Sequence, residues 1–180
     1  TGKRIIKLIA NDICCYASHT NFDVMGMGDE AAERLALEER SVLEITFEDE
    51  LSQEGIGRVG ILPECMTLRE CASYVKETFD LDTVKVFGEE DRKVRKAAVV
   101  PGAGKDYIRQ AVRAGADVYI TGDIGHHDGI DALEQGLTII DAGHFGVEQI
   151  FVPYMKEFLS RELPSLHLLS ARQQEPFWYE

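Results

Sequence analysis

Basic residues are scarce in this chain: 19 lysines and arginines face 32 aspartates and glutamates across 180 residues, for a formal net charge of −13 and a pI near 4.8. That deficit argues against a duplex nucleic-acid binder, whose affinity rests on basic side chains meeting phosphates. A small local anion site stays open. Long apolar runs are missing too, with no stretch of about 18 apolar residues that could span a membrane. Residues 1–11 carry three basic side chains but neither an apolar stretch nor a small-residue cleavage site, so they do not read as a signal peptide. Four cysteines occur (Cys14, Cys15, Cys65 and Cys71), with no Cys-x-x-Cys pair among them. Adjacent Cys14 and Cys15 would point to opposite faces of a strand, a poor start for a zinc ribbon or a disulfide framework. Buried free thiols in a reducing compartment, and hence a cytoplasmic protein, are the expectation. Neither an internal repeat nor a low-complexity linker interrupts the chain.

What is present is an ordinary globular balance, 44% hydrophobic and 28% charged, which excludes wholesale disorder. The length suits one domain, and 1–180 is read as a single α/β unit. The chain passes from Thr1, with no methionine, straight into the helical pattern of Ile5, Ile6, Leu8 and Ile9, which reads as a start in mid-domain. Spacing predicts a helix over 3–12, a strand over 13–18 and a short helix over 29–37 capped by Asp29. Alternation over 41–47 predicts a half-buried strand, an acidic turn follows over 48–54, and a glycine-rich strand begins at Gly55. Thr67, with Glu70 three residues on, predicts a capping box for a helix to Phe79. Strands are then expected at 84–87, 97–100, 118–121, 137–140 and 167–170. Helices are expected at 106–114, 128–135 and 148–162. Strands alternating with helices of about ten residues indicate α/β architecture with a mostly parallel sheet flanked by helices.

The chemistry gathers after the strands. His19 follows 13–18, His126 and His127 follow 118–123, and His144 follows 137–142. Asp23, Asp123 and Asp128 share those loops. In a parallel sheet these positions lie on the carboxyl edge, where α/β proteins bind ligands. His144 and Glu148 are four apart at a helix start, so both side chains can point the same way. Imidazole and carboxylate are a ligand pair for zinc, iron or manganese; a helix cap and a solvated glutamate explain the same pair. His19-Thr-Asn-Phe-Asp23 reads either as part of a metal shell or as an Asn/Asp-rich turn. His126-His127 reads as ligand-facing or as packing. The 99–106 segment, Val-Val-Pro-Gly-Ala-Gly-Lys-Asp, could cradle a phosphate near Lys105 or be a tight turn. It is neither a Walker A loop nor a dinucleotide fingerprint.

Five motifs occur in order: His-Thr-Asn-Phe-Asp (19–23), Gly-Ile-Gly-Arg-Val-Gly (55–60), Pro-Gly-Ala-Gly (101–104), Thr-Gly-Asp-Ile-x-His-His (121–127) and Asp-Ala-Gly-His-Phe-x-x-Glu (141–148). With them the chain resembles the Nif-three-like family, often labelled GTP cyclohydrolase 1 type 2 homologues, from Lys3 to about Ala171. The resemblance implies a dinuclear centre of two divalent ions in a toroidal homohexamer. It implies Asp23, His144 and Glu148 as metal ligands, with Glu148 bridging, and His19 and His127 close by. The family's further His-His-Pro ligand segment has no counterpart here, which fits the mid-domain start.

Two functions are therefore expected as alternatives. One is a metal-dependent hydrolase of a nucleotide-like or phosphate-bearing substrate, with zinc, iron, manganese or nickel held by Asp23, His144 and Glu148, and His19 or His127 as acid or base. The other is a non-catalytic, metal-binding oligomeric adaptor, to which the apolar tail 176–179 would contribute.

Overall fold

The alternating segment 41–47 becomes the middle of strand β1 (Glu38–Glu48), and the acidic turn after it is closed by Asp49, whose Oδ1 accepts from the amides of Leu51 and Ser52 at 2.8 Å each. The chain returns as β2 (Gln53–Thr67), antiparallel to β1 with Val42 opposite Arg58. These facts come from a computed structural model, which describes residues 2–175 and Phe177. Helix α4 (Leu68–Phe79) follows. It opens on the predicted capping box, with the Thr67 amide donating to Glu70 Oε2 at 2.7 Å and the Glu70 amide to Thr67 Oγ1 at 3.2 Å, an arrangement worth about 1 kcal/mol.

Strands β3 (Lys85–Phe87), β4 (Lys93–Ala103), β5 (Val118–Gly122) and β6 (Thr138–Asp141) complete a six-stranded sheet in the order β1-β2-β4-β5-β6-β3. Helices α5 (Ile108–Arg113), after a 3₁₀ turn at Lys105–Tyr107, and α6 (His126–Glu134) make the crossovers. Both crossover helices are followed by glycines with positive φ, Gly115 (+68°) and Gly136 (+83°), the left-handed stop that glycine favours. Odd and even residues of the inner strands go to opposite faces. Ala97, Val99, Val118, Ile120 and Ile140 join one apolar cluster with Leu62, Leu68 and Val75. Ala98, Val100, Tyr119 and Ile139 join the other with Ile56 and Ile108. Central strands buried on both faces are what a helix-covered parallel core requires.

The α/β class holds, but the sheet is not mostly parallel. Only β4–β5 and β5–β6 are parallel, whereas β1–β2, β2–β4 and β3–β6 are antiparallel. The reason is connection length. The turn between β1 and β2 is too short for a crossover, and β3 closes the far edge against β6 in the reverse sense. The strand–helix–strand rhythm runs only from β4 to β6.

Four local expectations change as well. Residues 13–18 form no strand; they find no ladder partner among the described residues, and Ile13 and Tyr16 are exposed. The helix predicted from Asp29 begins earlier. Helix α2 (Thr20–Phe22), a π-helical segment (Asp23–Met27) and α3 (Gly28–Arg34) run on without a break from His19, where Asn21 Oδ1 accepts from the His19 amide at 2.9 Å. Asp29 is therefore inside a helix, not its cap. The long helix over 148–162 is two, α7 (His144–Glu148) and α8 (Phe151–Glu162), with Pro153 in the first turn of the second, where its missing N–H is tolerated. Residues 167–170 are irregular. Helix α1 (Gly2–Ala10) forms as predicted, yet none of its residues is buried. No helix among the described residues is long and apolar enough to cross a membrane. The tail 176–179 lies, apart from Phe177, outside the described residues.

Candidate metal centre

The ends of β4, β5 and β6 stand side by side, so the loops that follow them share one edge of the sheet. Asp141, the last residue of β6, organises that edge. Its buried carboxylate accepts from the Ile124 amide at 3.0 Å, from the Gly143 amide at 3.1 Å, and from Lys85 Nζ at 2.8 Å. One side chain thus ties the β5 loop to the start of α7. Gly143 takes φ +73°, a conformation that favours glycine, and turns the chain so that His144 opens the helix. A Cβ on Gly122 would lie 2.4 Å from the His144 amide nitrogen, so only glycine lets the two loops meet this closely.

His144 is held at both ring nitrogens. Nδ1 faces Asp123 Oδ2 at 3.0 Å and Nε2 faces Glu148 Oε1 at 3.1 Å, the latter one helical turn on. Partial burial works against a charged ring, but the Asp123 hydrogen bond and the charges of Glu148 and Asp123 outweigh it and raise the His144 pKa. Asp123 itself has φ +58°, an uncommon conformation for a non-glycine residue. The Pro-Gly-Ala-Gly segment, the end of β4 and the residue after it, closes the floor and is not a free-standing turn. Gly102 takes φ +81°, and a Cβ there would press on Glu148 Oε1 at 2.6 Å and lie 3.6 Å from His144 Nε2. Tyr119 Oη donates to the Gly104 carbonyl at 2.8 Å, pinning the segment from below.

The opposing wall is the helix from Thr20. Asp23, Glu148 and His19 line one cavity of about 240 Å³, with Phe22, Phe145 and Phe151 as its apolar sides. Phe22 packs edge-on to Phe151, ring centroids 5.2 Å apart, which seats this end of the helix on α8. Burial pushes the Asp23 carboxyl up in pKa, even though His19 and His144 pull it down. An ionised Asp23 is thus under-compensated where it sits. His19 Nδ1 meets Thr20 Oγ1 at 2.9 Å, and its ring is exposed at the cavity mouth. A second cavity, of about 580 Å³, adjoins the first through Phe145 and Gln149 and reaches Lys85 and Asp141.

Of the residues predicted from sequence, Asp23, Glu148 and His19 come together on one cavity, and His144 stands in contact with Glu148. His127 does not join them. It lies on the first turn of α6, exposed, its ring 5.5 Å from that of His126, and it lines neither cavity. Sequence reasoning assigned no role to Asp123 or Asp141. Aspartates at the ends of two adjacent strands were the available signal, and Asp141 stands in the quoted 141–148 motif.

Imidazole and carboxylate oxygens suit a divalent transition metal, and the space left free by Gly102 lies against His144 Nε2 and Glu148 Oε1. The Asp123–His144 bond is of the kind that fixes a ligating histidine's tautomer. No three His, Cys, Asp or Glu side chains among the described residues are arranged to hold an ion by themselves. His144 Nε2 and Glu148 Oε1 thus offer one pair of donors, and no complete ligand set stands among the described residues.

These features define an α/β protein with a mixed six-stranded sheet and a histidine–carboxylate site on the edge formed by its parallel strands. The chain belongs to the Duf34/NIF3 (NGG1p interacting factor 3) family, whose model matches residues 1–176. It is 38% identical over 186 residues to the GTP cyclohydrolase 1 type 2 homolog of Clostridium acetobutylicum, covering 99% of this chain and 69% of that protein. With the Streptococcus pneumoniae protein of the same name it shares 39% identity over 163 residues, 87% of this chain and 59% of the relative. The crystal structure of a Bacillus cereus protein related to NIF3 has a similar fold, with a TM-score of 0.87 at 26% identity over 99% of this chain and 77% of that one. The chain thus spans between about three-fifths and seven-tenths of the two curated relatives' length.

Proposed function

We propose that this chain binds divalent metal through Asp23, His144 and Glu148, as part of a dinuclear centre, and serves a metal-dependent hydrolase acting on a nucleotide-like or phosphate-bearing substrate in the cytoplasm. The observation that carries this reading is the His144 Nε2–Glu148 Oε1 pair, 3.1 Å apart, set against Gly102, where a Cβ would press on Glu148 Oε1. A divalent ion held there supplies Lewis acidity toward water and toward the attacked group. The chain's own residues do the rest. Asp123 fixes the His144 ring from Nδ1, so that Nε2 is the nitrogen offered. Asp23 lines the same cavity as Glu148 and contributes a carboxylate whose charge a cation would compensate. His19, at the mouth, is the better placed of the two predicted proton carriers. The test is metal per chain by plasma mass spectrometry beside phosphoester and nucleotide hydrolysis. Glu148→Gln is expected to lower metal content and hydrolysis together; unchanged metal content sinks the assignment.

A second reading, a homo-oligomeric and non-catalytic metal-binding adaptor, is favoured by α1. Ile5, Ile6 and Ile9 are 50%, 67% and 76% exposed, an apolar stripe that a hexamer or partner would cover. Ile6→Lys with Ile9→Lys is then expected to reduce the mass seen by light scattering while metal content stays unchanged.

A further inference from the structure

The Gly-Ile-Gly-Arg-Val-Gly segment (55–60) has no part in the site as described so far, yet every residue of it is buried. At its centre is Arg58, only 5% exposed. Its guanidinium is nearly saturated. Nη1 donates to the carbonyls of Gly55 at 3.0 Å and Gly57 at 2.8 Å. Nε and Nη2 make a bidentate pair with Asp29, at 2.5 Å to Oδ1 and 2.6 Å to Oδ2. The fork is thus fixed to its own strand on one side and to α3 on the other, a geometry lysine cannot reproduce.

Gly28 and Gly57 meet beside this contact. Gly57, at φ +67°, could not carry a Cβ without meeting the Val99 carbonyl at 2.7 Å. A Cβ on Gly28 would come within 3.2 Å of Gly57 Cα and 3.3 Å of Arg58 Nη1. Helix and strand therefore touch backbone to backbone at Gly28, and Asp29 is the next residue.

Immediately before Gly28 runs the π-helical segment Asp23–Met27. Each extra residue in a turn rotates what precedes it by about 100° relative to an α-helix. Met27, Ala31, Ala32 and Leu35 point into the core. Asp23, four residues before Met27, lines the same cavity as Met27, with His19, Phe22 and Glu148. Across this segment Phe22 packs against one apolar cluster and Val24 against the other, so the π turn sets how Asp23 is seated on the cavity wall. A wide turn is held only when both its ends are fixed. Phe22 fixes one end and Gly28–Asp29 the other.

We propose that the Arg58–Asp29 pair is a positioning device for Asp23: by clamping the first turn of α3 to β2, it holds the π turn that seats Asp23 on the cavity it shares with Glu148. This rests on the metal-binding reading for its consequence, though not for its geometry. Arg58 and Asp29 touch neither Glu148 nor His144 and act through Asp23 alone.

The test is a mutant cycle on the full chain with zinc chloride as the only ligand, read by titration calorimetry, together with amide hydrogen exchange on the metal-free protein. Arg58→Lys is expected to weaken zinc binding about 10- to 100-fold, the usual effect of removing a partner that orients a ligand. The milder Asp29→Asn, at a half-exposed side chain, should act in the same direction and covers the case in which Arg58→Lys fails to fold. Neither substitution should weaken binding further in an Asp23→Ala background. Exchange should quicken over 23–28 in both variants while β5 keeps its protection. Equal fold-losses with and without Asp23, or a uniform loss of protection across the sheet, would overturn the proposal in favour of a general structural role. If the wild-type chain binds no zinc, the metal-binding reading fails and the exchange pattern alone decides the clamp: faster exchange confined to 23–28 supports it, and unchanged protection there refutes it.

Discussion

The loop wall and the helical wall of the cavity carry the two halves of the proposed metal shell, and they are held by different chemistry. On the loop wall every group has a partner already. His144 is bonded at both nitrogens, Asp141 gathers two backbone amides and a lysine, and Gly102 and Gly122 let the loops close on one another. On the helical wall Asp23 sits where burial disfavours its charge, placed by helix geometry and by an arginine one turn and more away. One wall is complete without a cation and the other gains most from one. That contrast is what a preorganised site with an adjustable member would show, and it orders the effects of substitution.

The largest effect is expected at Asp141. Asp141→Ala leaves two amides at the site's edge without their acceptor and Lys85 with the Ile124 carbonyl but no carboxylate, and should cost about 2–4 kcal/mol of stability in urea denaturation. A loss under about 1 kcal/mol would mean the loop wall is not held as described. Gly102→Ala comes next. It forces a Cβ into a positive-φ position and against Glu148 Oε1, which should cost about 1–2 kcal/mol and displace the glutamate, read as lost metal in the same mass measurement. Intact metal binding in that variant would show that Glu148 has another productive rotamer, blurring the contrast between walls.

The smallest effect is a titration. The raised pKa of His144 means that protonation favours the folded, metal-stripped chain. The contribution is fully present below the unfolded histidine value of about 6.5 and fades as pH rises through the folded value. In chelator-treated protein, wild type should therefore exceed His144→Gln in melting temperature at about pH 5.5, with the gap closing by about pH 8.5. Because the ring is 47% exposed, solvent screening keeps the gap small. A gap that widens with pH contradicts the assigned partners.

Local signals were legible wherever the physics is local. The capping box at Thr67 and the ends of the crossover helices before Gly115 and Gly136 concern bonds within a few residues; the strand over 41–47 was legible but its half-burial was not, since Ile45 and Phe47 are exposed. The pairing of His144 with Glu148 was legible for the same reason, since one helical turn joins them. What misled was long-range. Residues 13–18 have strand-like composition and no partner strand, and a strand exists only through its ladder. Asp29 looked like a cap because short polar side chains favour caps. Its carboxylate is instead taken by Arg58, 29 positions further along, and no local pattern carries that information. The π turn before it has no signature in the local pattern.

By itself the sequence determined the α/β class, the positions of the inner strands and crossover helices, and the placing of the 101–104, 121–127 and 141–148 motifs after adjacent strands. These follow from periodicity, capping and turn chemistry, which act over one or two turns of chain. Only the tertiary structure decided the mixed sense of the sheet, the separation of His127 from the cavity, and the meeting of Asp23 and Glu148 on one cavity. Each of those depends on which backbones approach closely enough to pair or to need a glycine, and that is settled between elements rather than within them.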